Sequence, residues 1–156
     1  MNNKAVFAGT FDPFTLGHYE IAERAAKQFT TLYVAVADGN AAKSCYFNIK
    51  KRLKIAQLSL AGIKNVVVVP FKGFLTDFMR ENGIEVFVRG LRNASDFEYE
   101  RMLFNAYRSQ YPEAEGCYLI ASENYSYISS SLVREVIAMD GDASKYVKKE
   151  AAEEIK

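Results

Sequence analysis

The residues most able to do chemistry lie in one run, GTFDPFTLGH at residues 9–18, which ends on the only histidine of the chain. The run follows a short apolar segment typical of a buried strand and precedes residues 19–29, which have helical periodicity. This order predicts that Gly17 and His18 lie at a helix N-terminus, where unpaired backbone N–H groups and the helix dipole favour an anion. An imidazole there can donate a hydrogen bond to a phosphate oxygen, so the run indicates phosphate chemistry on a nucleotide.

Each part of this run also has an ordinary explanation. A lone histidine at a helix start is often a polar surface residue, and a Gly-Thr pair after a strand is common. The joint spacing is rarer, because Gly9 and Gly17 stand where a backbone would have to approach a ligand closely.

The composition limits the classes of protein to consider. With 156 residues and a formal net charge of +1, the chain is expected to form one domain over residues 1–156. The near-neutral charge argues against a nucleic-acid partner or a polybasic membrane anchor. There is no signal-peptide pattern and no apolar stretch of the roughly 20 residues that a membrane span needs. Cys45 and Cys117 lack the spacing of a zinc site, and a cytoplasmic location is expected.

Apolar runs rich in β-branched residues alternate with amphipathic segments along the chain. Strands are predicted at 4–8, 31–37, 65–70, 84–88 and 116–121, and helices near 17–29, 48–61, 73–82, 96–110 and 129–139. A charged helix after about residue 146 is expected to lie in solvent. The alternation predicts an α/β fold, doubly wound, with a five-stranded parallel sheet covered on both faces.

Polar clusters follow four of these strands, at residues 9–18, 38–44, 89–92 and 122–131. In doubly wound sheets, ligands bind at the carboxyl ends of the strands, near the point where the strand order reverses. The four clusters are therefore expected to meet at one edge of the sheet.

The residue types in these clusters suit an anion. Arg89 and Arg92 flank Gly90, and guanidinium groups offer permanently charged paired donors to phosphate. Ser129, Ser130 and Ser131 begin a helix; one hydroxyl is explained as an N-cap, and three exceed what capping requires.

The sequence allows two alternative roles for each of three further residues. Lys43 is either a solvated loop lysine or a phosphate ligand. Glu100 either complements the helix dipole or accepts a sugar hydroxyl or an amine. Arg134 either reaches the same anion as the serines or pairs with Glu135. No Walker loop, no GxGxxG motif and no Ser/His/Asp set occurs, so the phosphate site belongs to a different design.

Taken together, the GTFDP and TLGH motifs, RGLR at 89–92, DFEYE at 96–100 and SSSLV at 129–133 resemble the nucleotidylyltransferase superfamily. Within it, the chain is similar to the bacterial phosphopantetheine adenylyltransferase family from residue 4 to about 140. The resemblance implies a Rossmann-like nucleotidyltransferase fold.

The resemblance also implies the reaction: ATP and 4'-phosphopantetheine give dephospho-CoA and pyrophosphate, with Mg²⁺. The attacking phosphate is already ionised, so catalysis would consist of positioning and charge stabilisation at the α-phosphorus. A homohexamer and feedback by coenzyme A are implied by the same resemblance.

The resemblance carries the family's site onto named positions. The residues expected to be catalytic are His18, Thr10, Lys43 and Arg92, with His18 stabilising the developing charge. Those expected to hold phosphopantetheine are Thr10, Lys43, Leu75 and Arg89. Those expected to bind ATP are Thr10, Phe11, His18, Gly90, Leu91, Arg92, Glu100, Tyr125, Ser126, Tyr127, Ile128, Ser129, Ser130 and Ser131.

The chain departs from the family pattern at Tyr107, which stands in place of an asparagine associated with the pantetheine pocket. Three alternatives stay open. They are a sister nucleotidyltransferase with another phosphorylated acceptor, a non-catalytic nucleotide-binding module, and a flavodoxin-like electron carrier. The arginine loop argues against the first, the presence of His18 against the second, and the phosphate loop against the third.

Overall fold

The five apolar runs form strands in the computed structural model, which describes residues 3–39 and 44–156. The strands are β1 (Lys4–Gly9), β2 (Thr31–Ala37), β3 (Val66–Phe71), β4 (Val86–Leu91) and β5 (Glu115–Ile120). The helices are α1 (Leu16–Ala26), α2 (Ile49–Leu60), α3 (Leu75–Glu81), α4 (Ala94–Gln110) and α5 (Ser130–Ala138). Among the described residues, no helix combines the length and the apolar character that crossing a membrane requires.

All strand pairs are parallel, and the order in the sheet is β3-β2-β1-β4-β5. The chain moves outward from β1 to β3, crosses back to place β4 on the free side of β1, and continues to β5. The order therefore reverses between β1 and β4, which confirms the predicted doubly wound fold.

Alternate residues of the strands point into two separate cores. Phe7, Val34 and Val88 contribute to a core that α1, α2 and α5 cover, whereas Val6 and Phe87 contribute to one that α3 and α4 cover. Because side chains alternate along a strand, burial on both sides is what gives parallel strands their continuous apolar runs.

The bounds of β4 differ from the sequence prediction. The expected strand at 84–88 lies at Val86–Leu91, so Arg89, Gly90 and Leu91 belong to the strand and not to the loop after it. These three residues pair with Tyr118, Leu119 and Ile120 of β5. The sequence prediction ended the strand before Arg89 because a charged residue is not expected inside a buried strand. Pairing with β5 extends β4 through Arg89 to Leu91. At this carboxyl end of the strand, the guanidinium group can extend out of the apolar core.

The segment after Ala143 corrects a second prediction. It forms two short 3-10 helices, Ser144–Tyr146 and Lys149–Ile155, and it is not a solvated helix. Ala151 and Ile155 are buried in the core that includes α2, and Lys54 of α2 pairs with Glu154 at 2.6 Å. The high charge of the segment hid its buried apolar residues Val147, Ala151 and Ile155, which stand four apart in the sequence.

The burial of Ile155 predicts a measurable effect on stability. Ile155→Ala removes a side chain that is 3% exposed, and we expect the free energy of unfolding to fall by about 2–4 kcal/mol in urea titrations. Lys149→Ala, on an exposed residue of the same segment, is the control and should change it by less than about 0.5 kcal/mol. Equal, negligible effects of both substitutions would mean that the segment does not stabilise the fold.

Candidate functional site

A pocket of about 560 Å³ lies at the carboxyl ends of β1, β4 and β5, where the strand order reverses. Helices α1, α4 and α5 form its sides. The residues that line it are Phe7, Ala8, Gly9, Thr10, Phe11, Gly17, His18, Ile21, Arg89, Gly90, Arg92, Asp96, Tyr99, Glu100, Ala121, Tyr125, Ile128, Ser129, Ser130 and Ser131. Three of the four predicted clusters thus converge as expected; most of the fourth, residues 38–44, lies outside the described residues.

The start of α1 fixes the orientation of His18. Thr15 is the N-cap, and its hydroxyl accepts a hydrogen bond from the His18 backbone N–H at 3.4 Å. In return, the Thr15 backbone N–H donates to Nδ1 of the His18 ring at 3.0 Å. This reciprocal arrangement is a capping box in which an imidazole takes the usual place of a glutamate.

These bonds also determine which ring nitrogen carries the proton. A backbone N–H can only donate, so Nδ1 of His18 must be the acceptor, and the neutral ring then carries its proton on Nε2. Since Nδ1 is taken up by Thr15 and His18 lines the pocket, Nε2–H is the group that remains for a ligand.

The surroundings keep this imidazole neutral. Desolvation by burial, followed by the positive charges of Arg92 and Arg89, lowers the pKa of His18 to about 3. Phe11 and Phe14 enclose the ring, with centroids 5.0 Å and 5.3 Å from it. At neutral pH His18 is therefore an uncharged hydrogen-bond donor and not a cation.

Phe11 packs in this way with a left-handed backbone conformation, which few residues other than glycine adopt. Its φ is 47°, in the left-handed region, and its side chain is buried against Phe7 and Phe14. Such a conformation costs on the order of 1–2 kcal/mol and persists only where the surroundings enforce it. Gly9 leaves room for the ring, since a Cβ there would lie 3.2 Å from it.

Arg89 and Glu100 form a two-pronged ion pair across the pocket. Nε and Nη2 of Arg89 donate to the Glu100 carboxylate at 2.8–3.0 Å, and Nη1 donates to the carbonyl of Ala8 at 3.2 Å. Burial opposes the charge of Arg89, but the hydrogen bonds and the negative charge of Glu100 outweigh it, and the pKa of the guanidinium is raised. Glu100 is the one buried residue of α4, so the pair also anchors this helix to β4.

A second ion pair lies beside the first. Asp96 accepts hydrogen bonds from the backbone N–H of Arg92 at 2.9 Å and from its Nε at 3.3 Å. The two arginines and two carboxylates that line the pocket therefore cancel in formal charge. Both carboxylates are engaged, and the described residues contain no group of three His, Cys, Asp or Glu side chains that could hold a metal ion.

The start of α5 forms the opposite wall. Ser129 is the N-cap and accepts from the N–H of Leu132 at 3.1 Å. Ser130 donates to the carbonyl of Pro13 at 2.8 Å, and Ser131 accepts from Arg134 at 3.2 Å. Each of the three hydroxyls thus has a partner within the protein, while the first backbone N–H groups of α5 have none within the helix.

The structure contradicts the pairing of Arg134 with Glu135 and leaves its contact with an anion as a prediction, since Nη2 donates to Ser131 at the start of α5. Its Nη1 donates to the backbone carbonyl of Asp12 at 2.8 Å and not to Glu135, and it lies 3.9 Å from the Asp12 carboxylate. It therefore joins α5 to the loop that carries Thr10. Gly90 has a structural reason as well, because a Cβ there would lie 3.0 Å from Ile21 of α1.

Most residues expected in the site line the pocket, and a few lie elsewhere. Leu91, Ser126 and Tyr127 are in the same segments but not among the lining residues. Leu75 is buried at the start of α3, in the core on the other face of the sheet. Lys43 lies outside the described residues.

The sequence missed six lining residues, which are Phe7, Ala8, Ile21, Asp96, Tyr99 and Ala121; Phe7 and Ala8 were expected only as members of a buried strand. Asp96 had a signal, since it stands four residues before Glu100, the spacing at which helical side chains share a face. Tyr99, Ile21 and Ala121 had none, because their positions depend on how α4, α1 and β5 pack.

Comparison with known proteins adds evidence independent of this geometry. A family model described as cytidylyltransferase-like matches residues 6–136. A curated protein named phosphopantetheine adenylyltransferase from Burkholderia vietnamiensis (strain G4 / LMG 22486) is 46% identical over 143 residues, covering 92% of this chain and 86% of its own length. One of the same name from Thioalkalivibrio sulfidiphilus (strain HL-EbGR7) is also 46% identical over 143 residues and is covered to 89%.

A crystal structure described as a nicotinate-nucleotide adenylyltransferase from Vibrio parahaemolyticus has the same fold. It superimposes with a TM-score of 0.72 and covers 99% of both chains, at 17% identity.

The state of His18 can be measured directly, because it is the only histidine. We expect its ring resonances in NMR spectra to stay constant from pH 8 to pH 5, with the nitrogen pattern of the tautomer protonated on Nε2. A titration with a midpoint near pH 6.5 would contradict the neutral, capped ring.

The same lowered pKa links stability to pH. The unfolded chain binds a proton at His18 below about pH 6.5, whereas the folded chain binds it only near pH 3, so stability falls as the pH falls between these values. For His18 alone the loss from pH 7 to pH 5 is about 2 kcal/mol. His18→Gln cannot protonate, so urea unfolding of the variant should show a smaller loss over this range. Parallel curves for the two proteins would refute the linkage.

Proposed function

The chain belongs to the phosphopantetheine adenylyltransferase family, and we infer that it is a nucleotidyltransferase that transfers the adenylyl group of ATP to 4'-phosphopantetheine, giving dephospho-CoA and pyrophosphate. The observation that carries this function is the 46% identity over 92% of the chain. The pocket supports it, since it lies at the switch point of the sheet and joins a helix N-terminus to a neutral histidine and two arginines.

The proposed chemistry is one displacement at phosphorus. A phosphate oxygen of the acceptor attacks the α-phosphorus of ATP, a new P–O bond forms, and the bond to the oxygen that bridges to the β-phosphate breaks. Pyrophosphate leaves with the electron pair of that bond. The attacking phosphate is ionised at neutral pH, so the protein need not remove a proton, and its task is to position both substrates and stabilise charge.

We propose that Nε2–H of His18 donates to an α-phosphate oxygen as charge develops there. A neutral donor suits this position, because its protonation state does not change between pH 8 and pH 5. Thr10 lines the same pocket and offers a second donor through its hydroxyl.

Arg89 is proposed to hold the phosphate of the acceptor. Its contacts with Glu100 and Ala8 use three of the five N–H groups of a guanidinium. The other two have no partner among the described residues and are available to a ligand. In this arrangement Glu100 orients the arginine and a phosphate completes its set of partners. The backbone N–H groups at the start of α5, with Arg92, are proposed to hold the ATP phosphates.

Mg²⁺ is proposed to enter with ATP and not to reside on the protein. The described residues do not fit a resident ion, because both carboxylates of the pocket are bonded to arginines. The formal charges of the lining cancel, so a divalent cation on the ATP phosphates would supply positive charge that the lining lacks.

Three further features are proposals. We propose a homo-oligomer, specifically a homohexamer, and the exposed Phe97 and Met102 of α4 and Ile120 of β5 offer apolar surface that a second copy would cover. Feedback by coenzyme A is proposed at the same pocket, since coenzyme A shares the pantetheine part of the acceptor. A cytoplasmic location is proposed because ATP is a cytoplasmic substrate.

The acceptor can be identified by the release of pyrophosphate. We expect release from ATP and Mg²⁺ with 4'-phosphopantetheine, and less than about 1% of that rate with nicotinate mononucleotide or glycerol 3-phosphate. Turnover with one of those acceptors and none with phosphopantetheine would move the chain to a sister activity. ATP binding without turnover of any acceptor would indicate a non-catalytic module.

His18→Ala tests the proposed donor. Loss of one donor to a developing oxyanion costs about 10²–10³ in kcat, and the KM for ATP should change less than about threefold. Lys27→Ala, on an exposed residue at the other end of α1, is the control and should leave both constants unchanged. A raised KM for ATP with normal kcat would contradict a role at the transition state.

A further inference from the structure

Arg52 of α2 is a buried charge with an unusual set of partners. Its side chain is 1% exposed, and its guanidinium donates to three backbone carbonyls. Nε donates to Phe47 at 3.0 Å, while Nη1 donates to Thr10 at 2.7 Å and to Ala37 at 2.8 Å. These carbonyls lie just after β1, at the end of β2 and just before α2.

A buried guanidinium is expected to pair with a carboxylate, because an unpaired buried charge is costly. Within the described residues, no carboxylate lies within 4.0 Å of Arg52. An apolar side chain of similar size would fill the same space without that cost. What it could not do is join three segments of chain, for which the planar fork of an arginine is suited.

Asp12 holds the same region through a second set of contacts. Its buried carboxylate accepts hydrogen bonds from the backbone N–H of Tyr46 at 2.6 Å and of Phe47 at 2.8 Å. Phe47 is therefore fixed through its N–H by Asp12 and through its carbonyl by Arg52. Asp12 itself lies two residues after Thr10, so the two contacts close a frame around the loop that carries Thr10.

We propose that Arg52 is a positioning residue of the adenylyl-transfer site. It holds the carbonyl of Thr10 in a fixed place relative to β2 and α2, and so aims the Thr10 hydroxyl into the pocket. The kinetic part of this proposal rests on the proposed function. Arg52 makes no contact with Arg92 or with the start of α5, so its effect falls on the reacting centre more than on the binding of ATP.

Arg52→Lys keeps the charge but replaces the fork by a single ammonium, which cannot reach all three carbonyls. We expect kcat to fall by about tenfold or more, and the KM for ATP to stay within about threefold. Ile55→Ala, on the fully buried residue one turn further along α2, is the matched control: it lowers the melting temperature but leaves kcat within about twofold. A folded Arg52→Lys variant with normal kcat would overturn the proposal.

Amide hydrogen exchange tests the frame without any activity. In Arg52→Lys, the amides of Tyr46 and Phe47 should exchange at least about tenfold faster than in the native protein, while those of α3 keep their rates. Unchanged protection at Tyr46 and Phe47 would refute the frame. An inactive native protein would refute the proposed function instead, and the exchange result would still decide the role of Arg52.

If Arg52→Lys fails to fold, Asp12→Asn tests the same frame, since it is nearly isosteric and keeps one acceptor oxygen. A lower kcat with faster exchange at Phe47 would support the frame, and native values of both would overturn it.

Discussion

β1 is paired along both of its edges, with β2 through all six of its residues and with β4 through Ala5, Val6 and Phe7. Because the chain leaves β1 towards β2 on one side and returns to β4 on the other, no connection crosses over the carboxyl end of β1. The opening that results lies between the loop after β1 and the ends of β4 and β5. Every residue of the pocket reaches it from one of these ends or from the helices that follow, so the site depends on this pairing.

Within that opening, one short local motif sets the chemistry of His18. The capping box with Thr15 orients the ring, and the packing of Phe11 and Phe14 shields part of it from water. A histidine exposed at a helix start would be partly charged near neutral pH, and the helix dipole would lower its pKa only modestly. Here burial and the two neighbouring arginines combine, and the result is a donor whose charge state is fixed across the physiological range.

The arginines of the pocket show how two guanidinium groups can be held at one site in a nearly neutral chain. Arg89 and Arg92 are each held by a carboxylate of α4, which orients the guanidinium groups and limits repulsion between them. The cost is that the lining carries no net formal charge for an anion. Under the proposed function, affinity for phosphate would come from the remaining N–H groups, from helix N-termini and from a cation that accompanies the nucleotide.

The sequence by itself determined the elements and the residue types of the site. Buried parallel strands give continuous apolar runs, and helices give a repeat near 3.6 residues, so the alternation of the two was readable without a structure. The run at residues 9–18 could also be interpreted from the sequence, because glycine, a hydroxyl and histidine together at a strand-to-helix junction are typical of few sites other than anion sites.

Only the tertiary structure decided the partners. The pairing of Arg89 with Glu100, the three carbonyls around Arg52 and the burial of Ile155 each join segments distant in sequence or hidden by charged neighbours. The spacing of residues along a chain predicts which face of a helix or strand a side chain occupies. It does not predict which side chains of a neighbouring element contact that face. The sequence therefore predicted a phosphate site at the end of β1, and packing decided which charges at that place are already paired.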